Sequence, residues 1–161
     1  MKHVPSEKHT VAWFKLAECV ARGEKERALG VYKLLAHSLD DAAFATQLAG
    51  DLLLAFQDDE AIDKYREAAI MYKKQQRFVE AAAVYEHLIT LQPAVDDYVV
   101  SVVVLYQILN FSDKIAEHLK RSVDRFSTSD NAKKLNAFLA KLEELSPENY
   151  HQACQFVAGK K

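Results

Sequence analysis

The segment "YREAAIMYKKQQRFVEAAAVYEHLITLQP", Tyr65 to Pro93, decides the fold. Ala68, Ala69 and Tyr72 follow Tyr65 at steps of three and four, and Ala81, Tyr85 and Leu88 follow Phe78 in the same way. Such steps place side chains on one face of an α-helix. The polar run "KKQQR" (73–77) separates the two stripes, and Pro93 stops the second. Two helices joined by a short polar turn are therefore expected.

The same pattern extends in both directions. Trp13, Leu16, Ala17 and Val20 form a stripe over about Thr10 to Arg22, with Thr10 as its cap and Gly23 as its break. Ala28, Leu29, Tyr32 and Leu35 make a second stripe, and Phe44, Leu48, Leu52 and Ala55 a third. Beyond Pro93, Val99, Val102, Val103 and Tyr106 precede a polar turn around Asn110 to Asp113. Ile115, Leu119, Val123 and Phe126 follow it. "STSD" (127–130) is a cap-rich junction before a helix over Ala132 to Leu145, and Ser146 and Pro147 start a last one. About nine short helices result. None is long enough to be stable alone, so neighbours must bury each other's stripes. The valines of Tyr98–Leu109 make strand the competing local reading there.

A chain of 161 residues with 50% apolar content and only seven Gly and Pro suits one folded domain rather than a disordered or collagen-like chain. With 21 basic against 23 acidic residues, its net charge of -2 calls for neither nucleic acid nor an anionic membrane surface. The segment 98–109 is too short to span a bilayer. Cys19 and Cys154 supply no disulfide framework, and "MKHVPSEKHT" lacks the apolar stretch of a signal peptide. A cytoplasmic chain with reduced thiols is expected.

Nothing in the sequence calls for catalysis, a cofactor or a metal. His37, His87, His118 and His151 fall on different predicted helices without an HExxH pattern, and are expected at the surface or at helix boundaries. "DDE" at 58–60 precedes a helix, where negative charge favours the exposed amide end. Glu86 and His87 are adjacent and so share no helix face. Ser101, Ser112 and Ser122 lack a nucleophile elbow, and no phosphate-binding loop occurs.

The series Tyr65, Ala68, Ala69, Tyr72, then Ala81, Tyr85, Leu88 and Pro93, resembles the tetratricopeptide-repeat family, whose unit is an antiparallel helix pair of about 34 residues. Degenerate units are similar: Trp13–Val20 with Ala28–Leu35, Leu48–Leu52 with Ala61–Ala68, and Val99–Tyr106 with Ile115–Leu119. The helix bearing Tyr65 fits as the second helix of one unit or the first of the next, so the frame around residues 59–74 stays open. A continuous stack resembling the vesicle-fusion attachment factors accommodates both. The resemblance implies an all-α, right-handed superhelical stack over residues 10–126. A flexible tail (1–9) precedes it, and capping helices continuous with the same domain (127–158) and a short tail (159–161) follow.

It also implies a noncatalytic adaptor or scaffold whose concave face receives an extended peptide or a partner helix. The positions that point to that groove are Asp63, Arg66, Ile70, Lys73 and Lys74 on one helix. Asp97, Val100, Val104, Gln107 and Ile108 are their counterparts on another. The basic residues would meet an acidic partner and the apolar ones supply area. The competing reading is plainer: Ile70, Val100, Val104 and Ile108 seal neighbouring helices, and Arg66, Lys73 and Lys74 are merely solvated. A chaperone for secreted or assembly components and a homo-oligomeric structural element are the alternative functions.

Overall fold

The computed structural model describes residues 7–127 and 132–159; the segment "TSD" at 128–130 lies outside them. The described residues are all-α, with nine helices and no strand. In chain order these are α1 (Glu7–Ala21), α2 (Lys25–Ala36), α3 (Ala42–Ala55), α4 (Glu60–Lys74) and α5 (Phe78–Leu91). They continue with α6 (Asp96–Ile108), α7 (Ser112–Phe126), α8 (Ala132–Leu145) and α9 (Pro147–Ala158). They form two compact units, Met1–Met71 and Tyr72–Lys161, whose boundary falls inside α4.

Four turns share one geometry. Gly23, Gln57, Gln76 and Asn110 all have φ between 56° and 70°. At each, the next residue's N–H donates to the carbonyl five positions back: Glu24 to Cys19, Asp58 to Leu53, Arg77 to Tyr72 and Phe111 to Tyr106, at 2.9–3.0 Å. A left-handed residue followed by this long bond ends a helix by satisfying carbonyls left open in its last turn. Gly23 and Gln57 stand 34 residues apart, and so do Gln76 and Asn110, the length of the repeat the sequence resembles. Only 19 residues separate Gln57 from Gln76. α4 thus follows one such turn and precedes the next.

In the first unit, Leu16, Cys19, Ala28, Leu35 and Leu52 form a core joined by Val20, Leu29, Tyr32 and Phe56. Asp41 caps α3 by accepting from the Phe44 N–H at 3.0 Å, while the Tyr32 hydroxyl donates to the Ala45 carbonyl at 2.9 Å. Asp58 accepts from the Glu60 N–H at the start of α4 and forms an ion pair with Lys25 of α2. This is the expected capping role with a cross-helix tie added. Glu7 to His9 are helical, so Thr10 lies inside α1 instead of capping it.

The second unit's core draws on Ala81, Tyr85 and Leu88 of α5, Val102 and Val103 of α6, and Leu119 and Phe126 of α7; Phe138 and Leu142 of α8 and Ala153 of α9 complete it. Phe126 and Phe138 meet at a centroid distance of 5.6 Å. α6 is the instructive element, because five of its 13 residues are valine. Each valine costs a helix about 0.5 kcal/mol relative to alanine, whereas full burial of its side chain returns about 1.5–3 kcal/mol. Val99, Val100, Val102 and Val103 are all buried, and α6 packs against α5, α7 and α8. Burial therefore outweighs propensity, and the segment is a helix.

Candidate protein-interaction site

The predicted groove residues fare differently on their two helices. On α4, Asp63, Arg66, Ile70, Lys73 and Lys74 are all exposed. Arg66 approaches Asp63 at 3.4 Å with both side chains more than half exposed, a contact that water screens strongly. The Lys73 ammonium sits 6.0 Å above the Tyr85 ring, at the outer reach of a cation–π contact.

On α6 the picture changes. Val100 is only 3% exposed, so it seals helices and presents no surface, because α6 is covered on several sides. Val104 is half-buried and Ile108 exposed. Asp97 accepts from Lys141 of α8 at 2.5 Å, and the same ammonium reaches Asp96 at 2.8 Å. Those two carboxylates hold the Lys141 ammonium above its ordinary range. Gln107 Oε1 accepts from Ser146 at 2.6 Å and from Asn149 at 3.2 Å. Ser146 therefore spends its hydroxyl across the helices and makes no side-chain capping bond at the start of α9.

Among the described residues, three cavities bear on the site. The most apolar, about 410 Å³, lies between α1 and α3 and is lined by Trp13, Leu16, Ala17, Leu48, Leu52 and Ala55, among others. On α1, Val11, Trp13 and Phe14 are exposed, Phe14 to 73%, and of these Trp13 lines the cavity. At its margin Asp51 accepts from the Tyr65 hydroxyl at 2.7 Å. Burial, and then this carboxylate, push the Tyr65 phenol well up from its usual range. A polar cavity of about 360 Å³ lies among α6, α7 and α9, with Gln107, Asn149 and Gln152 in its lining. Of the ten predicted groove residues, Gln107 alone lines any of these three cavities.

The remaining cavity, about 190 Å³, lies among α5, α6 and α7 and contains Glu86 and Tyr106 in its lining. The Tyr106 hydroxyl donates to Glu86 Oε1 at 2.5 Å, and His118 Nε2 lies 3.1 Å from the same oxygen. Burial alone would push the Glu86 carboxyl up, but the Tyr106 and His118 bonds and the nearby Lys114 charge outweigh it, so the carboxyl is held below its ordinary value. Burial first and Glu86 second push the Tyr106 phenol up. His118 is 7% exposed, which corrects its expected surface placement. The signal was in the sequence: His118 shares the helical stripe of Ile115, Leu119, Ser122 and Phe126, and with Ser122 is one of two polar residues on an inward face. Its partner Glu86 is 32 residues away, and no local pattern could name it.

Among the described residues no group of three or more His, Cys, Asp or Glu is placed to hold a metal ion, and no helix is long and apolar enough to cross a membrane. Cys19 and Cys154 are both free thiols.

No protein-family model matches the sequence, and no curated protein matches it. Among solved structures, the chain is similar to a MamA RS-1 ArsTM double mutant, at 15% identity over 98% of this chain and 99% of that one, with a TM-score of 0.37.

Proposed function

We propose that the chain is a noncatalytic adaptor that holds other proteins on its exposed helix faces. The observation that carries this reading is the apolar cavity between α1 and α3, with the exposed Trp13 in its lining. Contiguous apolar surface of this kind costs solubility unless a partner covers it, and aromatic residues are favoured where partners dock. Separately, the exposed Arg66, Lys73 and Lys74 of α4 attract an acidic partner, with Ile70 of the same helix adding apolar area. The test begins with proteins retained by the wild-type chain, purified and titrated directly. Ala17→Glu places a charge in the cavity wall at an exposed helical position. It is expected to weaken a genuine partner about tenfold without loss of helicity. Partners that bind wild type and Ala17→Glu alike would remove this cavity from the function.

The exposed Val11, Trp13 and Phe14 of α1 favour a second reading, contact between copies of the chain. Sedimentation equilibrium separates the two. Self-association that Ala17→Glu abolishes would replace the adaptor with a homo-oligomer.

A further inference from the structure

We infer that the cavity among α5, α6 and α7 receives a lysine side chain from a protein or peptide partner. The inference deepens the adaptor reading by naming a partner's chemistry at a second site. The decisive feature is how the two oxygens of Glu86 are used. Oε1 serves both Tyr106 and His118, while Oε2 has no hydrogen-bond partner among the described residues. The Glu86 side chain lines the cavity and is 39% exposed. The other walls are apolar, from Val79, Ala82, Ala83, Leu109 and Phe111, and Val79 and Phe111 are exposed. A carboxylate beside apolar walls favours a donor that brings positive charge.

Lysine fits this arrangement better than arginine. A guanidinium fork binds a carboxylate best through both oxygens, and here Oε1 already accepts twice. An ammonium needs only one oxygen, and its four-carbon stem can lie along Val79, Leu109 and Phe111. About 190 Å³ admits a single side chain rather than a folded element. Lys114 also lines the cavity, but its ammonium is directed to Glu117 at 3.8 Å on the exposed side of α7. Glu117 is held in turn by Arg121 at 2.6 Å, and Glu86 is the one carboxylate in the cavity lining.

The test uses the full chain, ¹⁵N-labelled, and two small probes that need no captured partner: the N-acetyl, N-methylamide derivatives of lysine and of norleucine. The lysine derivative is expected to shift the amide resonances of Val79, Ala83 and Phe111 saturably, with the neutral isostere binding about fivefold or more weakly. Glu86→Gln is expected to bring lysine down to the norleucine level with unchanged helicity. Equal binding of the two probes to wild type, or lysine binding undiminished in a folded Glu86→Gln chain, overturns the proposal. So does tighter binding of the corresponding arginine derivative. If Glu86→Gln does not fold, the wild-type comparison decides alone. Because no partner protein enters these titrations, their failure is separate from any failure of partner capture.

Discussion

Gly30 and Gly50 both lie inside helices, yet their replacement by alanine should act in opposite directions. At Gly30 an added Cβ meets nothing within 4 Å, so Gly30→Ala is expected to gain about 0.5–1 kcal/mol from helix propensity. At Gly50 the new Cβ would stand 3.0 Å from Tyr65 Cδ1 and Cε1. That ring is buried and its hydroxyl is anchored on Asp51. Gly50→Ala is therefore expected to cost about 1–3 kcal/mol through overpacking. Urea unfolding of both variants reads the sign directly, and a Gly50→Ala chain as stable as Gly30→Ala would show that the ring gives way. Gln76 presents the reverse case, a side chain held at φ 60°. Left-handed backbone costs a residue bearing a Cβ roughly 1–2 kcal/mol, part of which glycine recovers against its greater freedom when unfolded. Gln76→Gly should raise stability by about 0.5 kcal/mol, and a fall on urea unfolding would mean that the Gln76 side chain contributes more than its backbone costs.

Among the elements, α5 and α7 are tied through Glu86 and His118, while α6 and α8 are tied through Lys141. The Glu86 carboxyl is held below its ordinary value in the folded chain. A carboxyl depressed on folding contributes stability that is fully present above its unfolded pKa and disappears as pH falls through the folded one. The contribution should therefore fade below about pH 4.3, the ordinary glutamate value. Glu86→Gln is expected to cost on the order of 1 kcal/mol at pH 7, reflecting weakened bonds to a partly exposed group. Its difference from wild type should shrink as the pH is lowered below that point. Chemical denaturation at a series of pH values checks this, and a gap that stayed constant down to pH 2 would show that Glu86 does not supply the linkage.

At the scale of the whole molecule, charge becomes the more useful probe of the proposed function. Replacing Arg66, Lys73 and Lys74 by glutamine takes the formal charge from -2 to -5, with all three positions exposed. Lys73 gives up its distant contact with the Tyr85 ring, which at an exposed site is worth about 0.5 kcal/mol. The fold should therefore persist. Association with an acidic partner should weaken roughly tenfold, chiefly in on-rate and most at low salt, because screening already reduces these charges at physiological ionic strength. Titration at two salt concentrations, with circular dichroism on both proteins, measures this. Equal binding by both forms at both concentrations would sink the basic surface as a recognition site.

The all-helical class was legible in the sequence because apolar stripes recur at steps of three and four, with strand a competing reading over Tyr98–Leu109 alone. The core tyrosines were legible for the same reason: Tyr65, Tyr72, Tyr85 and Tyr106 are all buried. The polar breaks were also visible, but not that Gln57, Gln76 and Asn110 take the backbone conformation that glycine takes at Gly23. That choice follows from the short connections between the helices, which are three or four residues long. Surface and site were the least legible. Periodicity tells which face of a helix is apolar, but it does not tell how many neighbours cover the helix, so Val100 counted as groove until α5, α7 and α8 were placed around α6. Nor does it pair groups 32 residues apart. Glu86 meets His118 only because α5 and α7 come together, and that contact is a property of the packing, not of either helix.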